Sequence, residues 1–124
     1  MASLSPEITI AVDAMGGDFA PAHVVEGALL AAREGGGRFA VTLVGREQAV
    51  RAELARLHAP ADMFRIVNAD EVVEMHDAPN AALKAKKDSS IAVGVGLHRD
   101  GRADAFVSAG NTGAVLSAST LMLG

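Results

Sequence analysis

Short β-branched runs alternate along this chain with stretches whose apolar residues recur at helical spacing, and few folds accommodate that alternation. Ile8-Thr9-Ile10-Ala11-Val12, ending at Asp13, reads as a buried strand: it is brief, rich in branched side chains and closed by a turn. Phe39 to Val44, Phe64-Arg65-Ile66-Val67 and Ala103 to Val107 read the same way. Between the first two, Pro21 to Arg33 sets Val24, Val25, Ala28, Leu29 and Ala32 on one helical face. Glu47 to Leu57 repeats the pattern with Val50, Leu54 and Leu57. Ala81 to Lys87, Ser89 to Arg99 and Ala114 to Leu123 supply the later helices. Strand and helix in strict succession predict a parallel sheet with helices on both faces. No repeat, low-complexity tract or linker divides residues 1–124, so they form a single α/β unit.

Glycine and proline punctuate these elements. Ala14-Met15-Gly16-Gly17-Asp18 turns after the first strand, Gly35-Gly36-Gly37 ends the first helix, and Gly45 breaks the second strand. Ala59-Pro60-Ala61-Asp62 is a loop, and Asn68 to Pro79 is irregular and acidic. Gly94 and Gly96 fall inside a helix, where each costs about 1 kcal/mol against Ala, so close backbone packing is the expected reason for them.

Composition narrows the function. Half the residues are apolar, which excludes disorder by composition, but much of that fraction is alanine and the aromatics are only Phe19, Phe39, Phe64 and Phe106. A core of small side chains is thin, so stability is expected to lean on further sequence or on a partner chain. A net charge of −4, with no basic stripe, argues against a nucleic-acid partner. Without cysteine there is no disulfide, thiolate nucleophile or thiolate metal site. Met1 to Glu7 lacks the pattern of a secretory signal, and no apolar run reaches the ~20 residues that span a bilayer, so a cytoplasmic location is expected.

Ligands of open α/β sheets bind beyond the carboxyl ends of the strands. Two segments occupy that address: Asp13-Ala14-Met15-Gly16-Gly17-Asp18 and Ser108-Ala109-Gly110-Asn111-Thr112-Gly113. Each offers amides that an anion can approach, followed by the positive end of a helix. The second adds the hydroxyl and amide groups of Ser108, Asn111 and Thr112. Plain turn chemistry is the competing reading of either loop taken alone. Neither matches a P-loop or the dinucleotide G-x-G-x-x-G, and without a G-x-S-x-G elbow Ser108 is a poor acyl-enzyme nucleophile. A third segment, Lys84 to Ser90, places Lys84 and Lys87 three apart on a helix face, with Ser89 and Ser90 at the next helix start. It is either a solvated face or an anion cradle. Asp13 and Asp18 would repel phosphate unless they stand beside a lysine, fix loop shape or act as a base, and Asp18 is equally placed to cap the following helix. His23, His58, His76 and His98 show no metal-ligand spacing; His76, in the acidic loop, is the one kept in view.

Taken together these blocks resemble PlsX-type phosphate acyltransferases. The Asp13–Asp18 loop with Ala20-Pro21, Leu43-Val44-Gly45, Ala69-Asp70-Glu71-Val72, Asp77-Ala78-Pro79, Lys86-Lys87-Asp88-Ser89-Ser90 and Ser108 to Ala114 stand in that family's order and spacing. The resemblance implies a three-layer α/β/α Rossmann-like fold, related to phosphotransacetylases and to isocitrate and isopropylmalate dehydrogenases. It implies attack of inorganic phosphate on fatty acyl-acyl carrier protein, giving acyl-phosphate for phosphatidic acid and phospholipid synthesis, with no cofactor and no metal. It also implies a homodimer with peripheral membrane contact through a C-terminal part absent from this sequence. By carry-over, Asp13, Gly16, Gly17 and Asp18 shape the active-site loop, and Asp13, Asp18, Lys87 and Asn111 are the catalytic candidates. Lys87, Ser89 and Ser90 are candidates for phosphate or the carrier's arm, while Ser108, Gly110, Asn111, Thr112 and Gly113 would bind phosphate and the reacting carbonyl. Lys84 and Ile91 depart mildly from the family pattern, which often has arginine and methionine there. The larger departure is length, since family members run far beyond Gly124. A non-catalytic phosphate-binding α/β module, or an inactive fragment, is the alternative reading, and a dehydrogenase of related fold is disfavoured for want of a nicotinamide fingerprint.

Overall fold

A computed structural model describes residues 8–60 and 62–124. The expectations for Met1 to Glu7 and for Ala61 lie outside those residues. Four strands, β1 (Ile8–Asp13), β2 (Phe39–Gly45), β3 (Arg65–Asn68) and β4 (Ala105–Val107), form one sheet of order β3-β2-β1-β4. All three pairings are parallel, with Asp13 opposite Val44, Gly45 opposite Asn68 and Val12 opposite Val107. Five helices join and follow the strands: α1 (Ala22–Gly35), α2 (Glu47–Arg56), α3 (Pro79–Ala85), α4 (Ser90–Arg99) and α5 (Thr112–Leu123).

The sheet is covered on both faces, as the sequence predicts. Val41 and Leu43 of β2 pack with Val25, Ala28 and Leu29 of α1 and Val50 and Leu54 of α2. Val44 and Ala11 turn the other way, against Ala69, Ala103 and Leu97 of α4. A third cluster, with Ala82 of α3, Ile91 and Val95 of α4, and Ala114 and Ala118 of α5, holds the last three helices together. Continuous burial of β2 from Val41 to Gly45 is what a strand sandwiched between helices requires. The outer strand β4 leaves Ala105 and Val107 exposed along its length.

Several boundaries differ from the sequence reading, each for a local reason. Helix α1 runs on to Gly35 and stops where Gly36 and Gly37 take left-handed φ of 59° and 85°. Helix α3 begins earlier, at Pro79, and ends at Ala85. Lys87 is therefore in the turn between helices and does not share a helical face with Lys84. Helix α5 begins at Thr112 because Asn111 caps it, its Oδ1 accepting from the Ala114 amide at 3.1 Å. Gly94 packs as expected, since an added Cβ would strike the Phe106 ring. Gly96 does not; its nearest neighbour, Met122 Cε, lies at an ordinary 3.7 Å.

Candidate active site

The chain leaves β1 towards β2 on one side, while β4 pairs on the other, so the order of the sheet reverses at β1. Crevices at such reversals, beyond the carboxyl ends of the strands, are where α/β sheets take ligands. The two loops singled out in the sequence meet there. Asp13 closes β1 and is 1% exposed. Its Oδ1 accepts from the Met15 amide at 3.0 Å, which shapes the first loop. Its Oδ2 accepts from Ser108 Oγ at 2.8 Å, and that oxygen accepts in turn from the Gly110 amide at 3.0 Å. One buried carboxylate thus fixes both loops.

Gly16 is there because nothing larger fits. A Cβ on Gly16 would stand 2.6 Å from Asp13 Oδ2 and 2.8 Å from the Gly110 nitrogen. Gly17 adopts a φ of 103°, closed to most side chains, and faces Ala109. Gly113 sits against Pro79, whose Cγ would lie 2.6 Å from an added Cβ.

Asn111, 6% exposed, does more than cap α5. Its Nδ2 donates to the carbonyl oxygens of Glu74 and Asp77, both at 3.0 Å, and so staples the acidic loop to the start of α5. With Nδ2 on two carbonyls and Oδ1 on the cap, its side chain has its hydrogen-bonding capacity engaged. Among the described residues, the amides of Thr112 and Gly113 are left unpaired, as the first turn of a helix leaves them.

Lys86, and not its neighbour Lys87, secures the acidic loop from the other side. Its ammonium donates to Val72 O at 2.7 Å and to Asp77 Oδ2 at 2.9 Å. That hydrogen bond, with a second from the Glu74 amide, holds the Asp77 carboxyl below the usual carboxylate range. The available signal was the pairing of one lysine with an acidic loop, but the spacing did not say which lysine.

A cleft of about 390 Å³ opens beside the first of these loops, bordered by Gly17, Asp18, Arg46, Glu74 and His76 among others, and Ser108 to Gly113 do not line it. Asp18 is exposed and three residues short of the Pro21 cap position of α1, which has no side-chain cap. The capping role does not hold. Arg46, at the end of β2, was not flagged by sequence; its Nε donates to Asp70 O at 3.1 Å while the side chain borders the cleft. Lys87 is elsewhere, lining a separate groove with Lys84. Ser89 and Ser90 are buried at 0% and 1% exposure, and Ser89 Oγ accepts from the Ala92 amide as the cap of α4. The structure therefore brings Asp13, Gly16, Gly17, Ser108, Gly110 and Asn111 together, and leaves Lys87, Ser89 and Ser90 outside that group. Among the described residues no His, Asp and Glu cluster could hold a metal ion.

A family model described as fatty acid synthesis protein matches residues 8–124. A phosphate acyltransferase of Chlorobaculum parvum is 49% identical over 117 residues, covering 94% of this chain and 34% of that protein. One from Salinibacter ruber is 51% identical over 115 residues (92% and 34%), and one from Anaeromyxobacter dehalogenans 53% over 116 (93% and 31%). This chain spans about a third of the length of these relatives. Among solved structures, a phosphotransacetylase from Streptococcus pyogenes superposes with a TM-score of 0.66 at 21% identity, over 93% of this chain and 37% of that one. At that identity the likeness is one of fold.

Proposed function

This chain belongs to the fatty acid synthesis protein family, and from that premise we propose that it is the phosphate-binding part of an enzyme that transfers a fatty acyl group from acyl-acyl carrier protein to inorganic phosphate. A phosphate oxygen attacks the thioester carbonyl carbon, the tetrahedral oxyanion collapses, and the carbon–sulfur bond breaks. Acyl-phosphate and the free carrier thiol leave, the thiolate taking up one proton. No covalent enzyme intermediate is needed. What such a reaction asks of a protein is position and preformed donors. Acyl-phosphate then feeds phosphatidic acid synthesis.

The observation that carries this reading is the Asp13–Ser108 contact, which holds the loops after β1 and β4 together at the sheet's switch point. In the proposed arrangement the amides of Thr112 and Gly113, at the positive end of α5, receive the anion. Asp13, Ser108, Gly110 and Asn111 keep them in place, Gly16 and Gly17 let the first loop approach, and Asp18 accepts from a protonated phosphate oxygen. Arg46 borders the same cleft as the carboxylates of Asp18 and Glu74. A cleft bordered by one arginine and two carboxylates holds phosphate weakly. Further positive charge must come from the part of the relatives' length that this chain does not span, so the 124-residue chain by itself is assigned weak binding and no turnover. Homodimerisation, peripheral membrane contact and a cytoplasmic location belong to the same reading and rest on the family resemblance; among the described residues no helix is long and apolar enough to cross a membrane.

The test is phosphate-dependent release of thiol from acyl-acyl carrier protein by a protein of the relatives' full length carrying this sequence. Release that saturates with phosphate is expected; no release under any phosphate concentration would leave only a binding module.

A further inference from the structure

The acidic loop between β3 and α3 serves two places at once. Val72, Glu74, Met75 and His76 border the cleft, while oxygens of the same loop are held by donors from two helices. Asn111 Nδ2, at the start of α5, donates to the Glu74 and Asp77 carbonyls. Lys86 Nζ, at the end of α3, donates to Val72 O and to Asp77 Oδ2, the oxygen that also accepts from the Glu74 amide at 2.8 Å. The loop thus connects the cleft to the first turn of α5, alongside the Asp13–Ser108 contact. Of Lys84, Lys86 and Lys87, Lys86 is the one that pairs with a carboxylate among the described residues. Where it does so matters. The Asp77 carbonyl accepts from the residue that caps α5, so the Asp77 carboxylate stands near the positive end of that helix. An unpaired negative charge there would oppose the field that draws an anion to the helix.

We propose that Lys86 is a positioning residue for phosphate, setting the acidic loop against the start of α5 and neutralising Asp77 there. It does not line the cleft, and two of its three ammonium donors are engaged by the loop. The inference rests on the function proposed above, in that it takes the anion to sit at the amides of Thr112 and Gly113. Without the ammonium, the loop keeps Asn111 but loses its second tether, and the Asp77 carboxylate stays charged beside the anion's seat. Both changes fall on phosphate and not on the acyl donor. A merely structural lysine would instead reduce the amount of active enzyme, lowering the apparent kcat and leaving both KM values alone.

Steady-state kinetics and calorimetric phosphate binding on a protein of the relatives' full length carrying this sequence test it. Lys86→Met keeps the apolar stem and removes the ammonium. It should raise the KM and Kd for phosphate roughly tenfold, within the range by which residues without ligand contact alter binding, and leave the KM for acyl-acyl carrier protein unchanged. Lys86→Arg, which keeps the charge and the donors, should recover most of the loss. Arg33→Met, which removes the same charge from an exposed position on α1, should change neither constant. If Lys86→Met does not fold, Lys86→Gln, a shorter neutral donor, carries the same expectation. A phosphate KM and Kd equal to the parent's, or a fall in kcat with both KM values unchanged, would overturn the inference. Failure of the proposed function looks different: the parent then releases no thiol with phosphate, and the Lys86 variants are judged on phosphate Kd alone. A parent that neither binds phosphate nor releases thiol would overturn both.

Discussion

Ser108 Oγ donates to Asp13 Oδ2 across 2.8 Å, linking residues 95 apart in sequence at the tips of adjacent parallel strands. The same oxygen accepts from the Gly110 amide, so a single hydroxyl ties strand β1 to the turn after β4. Ser108→Ala leaves a buried carboxylate oxygen and a backbone amide without that partner. It should cost about 1–3 kcal/mol in urea unfolding with an unchanged m-value. Ser108→Thr, which retains the hydroxyl, should recover part of the loss. Full stability in Ser108→Ala would mean that the bond contributes nothing.

Glycine substitutions separate packing from backbone freedom. Gly16→Ala forces a methyl group against Asp13 Oδ2 and the Gly110 nitrogen, and should destabilise by about 1–3 kcal/mol. Gly27, inside α1, has no atom within 4 Å of an added Cβ. Gly27→Ala should therefore stabilise by about 0.5–1 kcal/mol. Opposite signs by thermal denaturation are the expected outcome; two changes of the same sign would contradict the described loop geometry.

Asn111 is predicted to be a positioning residue. Aspartate caps a helix as well as asparagine does, so capping alone would make Asn111→Asp nearly neutral. Because Nδ2 serves the Glu74 and Asp77 carbonyls, the aspartate variant instead turns a donor into an acceptor facing two acceptors. A loss above about 1 kcal/mol, with faster amide exchange through residues 72–78, is expected. Near-wild-type stability of Asn111→Asp would free the side chain for a direct role at the oxyanion.

The Asp77–Lys86 pair gives the acidic loop a pH dependence of known sign. The Lys86 hydrogen bond holds the Asp77 carboxyl below its ordinary value of 3.8, so the folded state binds this proton less readily than the unfolded one. The stabilisation is complete above the ordinary value and is lost as pH falls through the lower folded value. Asp77→Asn should flatten that acid limb of the stability curve and leave the neutral region with a lower but pH-independent loop stability. An acid limb identical to that of the original chain would remove Asp77 from the transition.

What local chemistry determines is legible in the sequence. Branched runs mark β1 and β2, glycines mark the ends of α1 and β2, and the two loops at the switch point are identifiable because two Gly-containing turns follow strands, where either alone would read as a plain turn. What is not legible depends on contacts between distant parts of the chain. Lys86 and Lys87 are adjacent and chemically identical; only the position of the loop that supplies Val72 O and Asp77 decides which is tied down. Ser89 resembled a ligand group because a cap and an anion ask for the same hydroxyl, and it is the α4 cap that uses it. Arg46 sits at a strand end with no motif around it, and the cleft that gives it meaning is assembled from two other segments.

Titrating the 124-residue chain with inorganic phosphate and following its backbone amide resonances bears most directly on whether the loops after β1 and β4 enclose one anion. The account predicts that Gly17, Thr112 and Gly113 shift together along one weak binding curve, while the turn at Gly36 and Gly37 stays still. Shifts confined to Lys84 and Lys87, or none at Thr112 and Gly113 as phosphate rises, would contradict it.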